Sequence, residues 1–323
     1  MSKKGYTGDE MLSTTFIDPP CLISQVLWDG DNVIILGREK TSKSILSMQI
    51  CCVLTSGEAL FDEYEVIKIC KVLYIQAEGK MSESSARFKK MVKAVGANPG
   101  NLRWLYLPHL PMDLTTSALD LIKLIKEEFG DYNPDVIFID PLYTLASTGS
   151  LRDDEVAGRI VSNLNQVKLH FNSTMVLVHH EHRSKVDQKG GKIEEGDNAI
   201  FGSFIWKAWP DHILRFQAPS KKTRVLTCDT QRSGSVVSNV KLNFNEPSPL
   251  FFDIQEDTTQ TEKIIINLFK KQDVLSVKDI EDFSTSSKST IYRSLRKLIN
   301  QGEVAKKECG NYVKLEKDGE NGA

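Results

Sequence analysis

The 323-residue sequence predicts an α/β protein: a doubly wound, mostly parallel sheet over residues 22–254, then a small C-terminal winged helix-turn-helix over residues 261–315. Three observations carry this. Short apolar, β-branched runs recur from Val33 to Cys228, and most are continuous rather than alternating, as in strands buried on both faces of a parallel sheet. Helical patterns of crossover length separate them. Near residues 245–260 the composition shifts to prolines, acidic residues and small polar residues, and the chain beyond residue 260 is built differently.

The predicted strands are VIIL (33–36), VLYIQ (72–76), LRWLYL (102–107), VIFID (136–140), TMVLV (174–178), HILRF (212–216) and RVLTC (224–228). Between them, helical periodicity covers about 43–55, 82–95, 116–129 and 153–169. Residues 1–21 are an N-terminal extension and 255–260 a linker. Beyond the linker come three helical stretches, TEKIIINLFKKQ, VKDIEDF and SSKSTIYRSLRKLINQG, then EVAKKECGNYVKL as a hairpin. Three helices and a two-stranded wing describe a winged helix-turn-helix. The tail, residues 316–323, is too polar to fold alone.

Apolar residues at 40% and charged residues at 26% are ordinary for a globular protein, and the length suits roughly two domains. No apolar run reaches the roughly 18 residues of a membrane span, and the first residues lack the apolar block of a signal peptide. A cytoplasmic protein with no membrane partner is expected. The six cysteines show no C-x-x-C spacing, which favours buried thiols over disulfides or a zinc site. A formal net charge of −2 means that nucleic-acid binding would have to come from local patches.

The chemistry-bearing stretch is GREKTSKSI, residues Gly37 to Ile45, directly after one strand and before a helix. It approaches the phosphate-loop pattern G-x-x-x-x-G-K-[S/T], with Ser42 where the second glycine belongs. In that context the backbone N–H groups of Gly37, Arg38, Glu39, Lys40, Thr41, Ser42, Lys43, Ser44 and Ile45 and the helix N-terminus would face an anion. Lys43 would meet the β and γ phosphates and Ser44 would hold Mg²⁺. Alone, the stretch reads equally well as an ordinary strand-to-helix turn with exposed lysines. Asp140 at the end of VIFID stands where a carboxylate holds Mg²⁺, and Glu78 past the second strand stands where a general base activates water. In doubly wound sheets ligands bind outside these carboxyl ends, so the three can converge.

On GREKTSKS, Glu78 in YIQAEG, Asp140 in VIFIDPL, VLVHHEHR and FGSFIWKAWPDHILRF, the chain resembles the RecA-fold P-loop ATPases over about residues 22–251. Within them it is similar to the plasmid and phage hexameric replicative helicase branch (RepA-like, AAA_25-type). The resemblance implies a RecA-like sheet, ATP and Mg²⁺ as cofactors, a DNA-acting motor of helicase type, and a homo-oligomer whose family form is a hexamer. It implies His179 as a sensor of the γ-phosphate and matches Gly202, Ser203 and Asp211 to a glycine-serine motif with its strand-leading aspartate. It also implies Arg232 as an arginine finger supplied to a neighbouring subunit, with Arg224 as the fallback. Ser42, and Thr230 where the family has a lysine, depart from the pattern and bear on hydrolysis rate rather than on fold.

HHEH (179–182) also offers zinc-type ligands, but residues alternate faces along a strand, so His179 and His180 should point apart. In RecA-like rings the loops after these strands line a channel for single-stranded DNA; here they are about 146–154 and 183–198. Arg183, Lys185, Lys189 and Lys192 suit phosphate contact, and a solvated surface loop is the alternative. The third C-terminal helix carries Lys288, Arg293, Arg296 and Lys297 opposite an apolar stripe of Ile291, Leu295 and Leu298. That is the look of a duplex-binding helix, although winged helices also dock proteins. Two other functions stay open: a DNA-binding regulator with a degenerate, nucleotide-sensing or oligomerising ATPase domain, and a protein-interaction adaptor.

Overall fold

The apolar runs form strands at the positions their pattern predicts, and two further segments join them in one sheet. The computed structural model describes residues 5–16, 19–108, 112–146, 149–181, 203–231, 237, 239–245, 251–254, 258–300, 302–307 and 311–315. A short helix α1 (Gly8–Ser13), closed by a capping box between Thr7 and Glu10, precedes a two-stranded ribbon of β1 (Cys21–Ile23) and β2 (Leu27–Trp28). Next along the chain are β3 (Asn32–Gly37), α2 (Lys43–Ser56), β4 (Val72–Gln76), α3 (Met81–Val95), β5 (Leu102–Tyr106), α4 (Ala118–Phe129), β6 (Val136–Asp140), α5 (Asp154–Phe171), β7 (Thr174–His180), α6 (Ile205–Ala208), β8 (His212–Gln217) and β9 (Thr223–Gln231).

These strands and two more, β10 (Val240–Asn245) and β11 (Phe251–Ile254), make one nine-stranded sheet in the order β11-β10-β9-β8-β3-β7-β6-β4-β5. From β8 to β5 every neighbouring pair is parallel, and β8 through β11 continue it antiparallel. The register aligns Gly37 with His180 and Gln76 with Asp140, so the chemistry-bearing strand ends share one edge. Two apolar cores cover the two faces. Helices α2 and α3 pack on one through residues such as Leu46, Ile50, Val53 and Met91. Helices α4, α5 and α6 pack on the other through Leu121, Ile125, Ile160, Leu164 and Trp206. Helix α2 is buried almost all round, as a helix without a polar face must be.

The last residues of the predicted 22–254 domain close the sheet. Phe251–Ile254 is an edge strand, and its backbone is satisfied by a helix side chain: Gln49 Nε2 donates to the Phe252 carbonyl at 2.9 Å and Gln49 Oε1 accepts from the Phe252 N–H at 2.7 Å. Phe252 and Ile254 enter the core while the prolines precede them. Helix α7 (Thr258–Leu268) begins inside the stretch read as linker.

Beyond it lie β12 (Val274–Leu275), α8 (Val277–Glu281), α9 (Lys288–Asn300), β13 (Val304–Lys306) and β14 (Tyr312–Lys314), with the strands ordered β12-β14-β13. They enclose a core of their own, in which Ile265, Leu268, Ile280, Ile291, Leu295, Leu298 and Tyr312 are buried. No helix among the described residues is long and apolar enough to cross a membrane.

At the end of the sheet opposite Gly37 and Asp140, His212 is fully buried, stacked on Trp28 at 4.7 Å, with Nε2 2.8 Å from Asp31 Oδ2. Burial alone would lower the imidazole's pKa, but the hydrogen bond to Asp31, with the Cys228 side chain adding to it, raises it to about 9.

Candidate functional site

The loop from Gly37 to Ser44 leaves the end of β3 and turns into α2 by way of two residues in the left-handed region, Lys40 at φ +61° and Ser42 at φ +73°. Gly37 is required sterically: a Cβ there would stand 2.2 Å from the Phe216 carbonyl oxygen on β8. The loop walls one side of a cavity of about 240 Å³, lined by Lys40, Thr41, Ser42, Lys43, Ser44, Ile45, Glu78, Arg87, Asp140, Val178 and His180. Of the nine loop residues expected at nucleotide, Lys40 to Ile45 line this cavity. Arg38 turns aside, its Nε 3.9 Å from Glu181. Glu39 is exposed.

Lys43 is buried, and its Nζ donates to the carbonyls of Gly37 and Arg38, both at 2.8 Å. Desolvation lowers its pKa to about 8 against the opposing pull of Asp140 and Glu78. Asp140 is likewise buried at the end of β6 and accepts from the hydroxyls of Tyr74 and Ser44. Burial raises its pKa and those two hydrogen bonds oppose the rise. Glu78 is exposed just past β4 and takes a hydrogen bond from the Tyr143 hydroxyl. A hydroxyl and a carboxylate side by side, both oxygen donors, suit a hard divalent cation, and the adjoining ammonium and helix N-terminus suit a phosphate chain.

Strand alternation settles which histidine faces the cavity. Val178 and His180 point to the α2 side, whereas Leu177 and His179 point to the α5 and α6 side. His179 is 2% exposed, its ring centroid 5.6 Å from Trp206 and its Nδ1 2.9 Å from the His180 carbonyl oxygen, and burial lowers its pKa to about 4. His180 instead lies with Nδ1 3.5 Å from Lys43 Nζ and its ring beside Tyr143. Burial, then Lys43, lowers its pKa. The residue expected as sensor, His179, is therefore turned away from the cavity and its neighbour turned toward it. Glu181, third in the histidine-rich run, engages Arg215. Among the described residues no cluster of three or more histidines, cysteines or carboxylates could hold a metal.

Arg224, the fallback finger, is buried within its own chain, where its guanidinium donates to the Thr41 carbonyl and the Ser42 hydroxyl of its own phosphate-type loop. Arg232, Gly202 and the loop residues Arg183, Lys185, Lys189 and Lys192 lie outside the described residues. Ser203 is buried, and its Oγ accepts from the Ile205 N–H at the start of α6. Asp211 accepts from the Asn32 N–H at 2.9 Å, which fixes the start of β3.

On α9 each of the four expected DNA contacts meets a carboxylate: Lys288 with Glu281, Lys297 with Glu262, Arg293 with Glu63 at 3.7 Å and Arg296 with Asp62 at 3.2 Å. The last two partners sit in the turn between α2 and β4, where Phe61 and Asp62 adopt positive φ.

Sequence reasoning missed Arg87, Tyr74 and Tyr143. Arg87 was readable in principle, since it lies one helical turn beyond the buried Ser84 of α3, the helix that comes after Glu78. The tyrosines were not, because their hydroxyls reach carboxylates on other elements.

The family model described as AAA domain (AAA_25) matches residues 10–185, more than half of the chain. No curated protein matches it. Among solved structures the chain is similar to a KaiC-like protein from the hyperthermophilic archaeon Pyrococcus horikoshii OT3, with 14% identity, a TM-score of 0.47, and coverage of 73% of this chain and 94% of that one. It is also similar to the RadB recombinase, with 16% identity, a TM-score of 0.46, and coverage of 71% and 92%.

Proposed function

Because this chain belongs to the AAA_25 family of AAA domains, we propose that it is a Mg²⁺-dependent ATPase of RecA-like type that acts on DNA. One observation carries the nucleotide site: Lys43 and Ser44 at the start of α2, and Glu78, Asp140 and His180 at the ends of three neighbouring strands, all line one cavity. Ser44 and Asp140 would hold Mg²⁺, which when bound neutralises phosphate charge and orients the phosphate chain. Lys43 leaves its two carbonyl partners to meet the phosphates, as a buried ammonium already desolvated can do. Glu78, steadied by Tyr143, positions and deprotonates the attacking water. His180 stands beside Lys43 and takes the γ-phosphate role expected of His179.

The remaining parts rest on the sequence. Arg232 would complete the site of a neighbouring subunit in a homo-oligomer, with a hexamer as the form. Arg183, Lys185, Lys189 and Lys192 would contact single-stranded DNA, which makes a phage- or plasmid-type helicase the specific reading. Residues 261–315 read as a winged helix-turn-helix whose α9 meets duplex DNA. The ion pairs of Arg293 and Arg296 with the 62–63 turn require α9 to leave that turn when it binds.

The same ion pairs, with Ser42 in the loop, favour a second reading: a DNA-binding regulator in which nucleotide is bound but not turned over. Steady-state hydrolysis of Mg-ATP with and without single-stranded DNA separates the two. A motor shows turnover that DNA stimulates and that Glu78→Gln abolishes; a regulator shows none in either protein.

A further inference from the structure

Ser42 occupies the position that the phosphate-loop pattern reserves for glycine, and it adopts φ 73°, ψ 29°, a conformation natural to glycine and strained for serine. Strain of this kind persists only where the surroundings over-determine the backbone. Here the Ser42 carbonyl caps α2 by accepting from the Ile45 and Leu46 N–H groups, and one side chain from another strand reaches the loop as well. Arg224 Nε donates to the Thr41 carbonyl at 3.0 Å and Nη2 donates to Ser42 Oγ at 3.2 Å, so two consecutive loop residues are held from β9. The guanidinium is itself immobilised, since Nη1 donates to the carbonyls of Ser220, Lys221 and Thr223 at 2.9, 3.2 and 3.0 Å and its plane lies over the Phe244 ring at 4.7 Å. Only a planar fork of donors can serve both sides at once.

The contact also redirects the serine. A serine at a helix N-cap ordinarily accepts from the N–H groups of the first turn, yet Ser42 makes no such bond because its hydroxyl faces Arg224. Those N–H groups are the ones a phosphate would use.

We propose that Arg224 is a positioning residue for the nucleotide site: it holds Ser42 in the left-handed conformation and keeps the serine hydroxyl off the helix N-terminus. Ser42 and Arg224 are thus a coupled pair standing in for the missing glycine. The inference rests on the proposed nucleotide site and extends it to β9, outside the matched residues 10–185.

The test is a double-mutant cycle on Mg-ATP affinity with wild type, Ser42→Gly, Arg224→Ala and the double variant, alongside denaturant midpoints and Lys43→Ala as a control. Arg224→Ala weakens binding about tenfold or more in the serine background and by less than about threefold in the Ser42→Gly background, because glycine needs no brace. A merely structural arginine would lower the midpoint alike in both backgrounds without this split in affinity. If Arg224→Ala does not fold, Arg224→Lys keeps the charge and stem, loses the fork, and shows the same rescue by Ser42→Gly. Equal loss of affinity in both backgrounds, with Lys43→Ala still abolishing binding, overturns the coupling while the site stands. Equal affinity of wild type and Lys43→Ala removes the nucleotide site and the positioning role with it.

Discussion

His180 places Nδ1 3.5 Å from the Nζ of Lys43, while His179, one residue earlier, is buried on the other face of the sheet against Trp206. Substitution of the two histidines therefore separates chemistry from packing. His180→Ala lowers hydrolysis about tenfold or more with little change in unfolding midpoint. His179→Ala costs about 2 kcal/mol of stability through the void left beside Trp206. Turnover assays with chemical denaturation on both variants check this, and a catalytic loss confined to His179→Ala would reverse the assignment.

Gly37→Ala inserts a Cβ 2.2 Å from a backbone carbonyl that cannot retreat without moving β8. A destabilisation of about 2–3 kcal/mol is expected, together with loss of nucleotide binding. Calorimetric unfolding of the variant is the measurement.

The His212–Asp31 pair makes stability depend on pH at the end of the sheet remote from the cavity. With the folded pKa raised from 6.5 to about 9, the contribution is fully present below pH 6.5 and is lost as pH rises through 9. The shift corresponds to about 3 kcal/mol. Denaturant titrations from pH 6 to 9.5 should show the decline in wild type and a flatter profile in His212→Gln.

Asp62 and Glu63 occupy two basic side chains of α9. Asp62→Asn with Glu63→Gln in the full chain raises duplex-DNA affinity about three- to tenfold at low salt, and the gain shrinks as salt rises. Fluorescence anisotropy with labelled duplex reads it; unchanged affinity would mean that α9 meets no duplex.

Much of the fold was legible because its signals are local. Val136–Asp140, Val72–Gln76 and Asn32–Gly37 are continuous apolar runs, and both their strand character and the position of their ends follow from that pattern. Asp140 and Glu78 were readable as strand-end carboxylates. Phe251–Ile254 was hidden because its edge position depends on Gln49, 203 residues away along the chain. Which histidine faces the cavity was not legible for a related reason. Alternation showed that His179 and His180 diverge, but which of them faces α2 depends on how the strand packs between the two helical layers. Arg224 was read as a fallback finger for a neighbouring subunit, and its hydrogen bonds to Thr41 and Ser42 of its own chain depend on how β9 packs against the loop.

The central claim is that the loop ending in Ser42, Lys43 and Ser44 binds a nucleoside triphosphate. Equilibrium binding of Mg-ATP to wild type and to Lys43→Ala tests it most directly. Saturable binding that weakens about tenfold or more in the variant is expected. Equal affinity, or equal failure to bind, would contradict it.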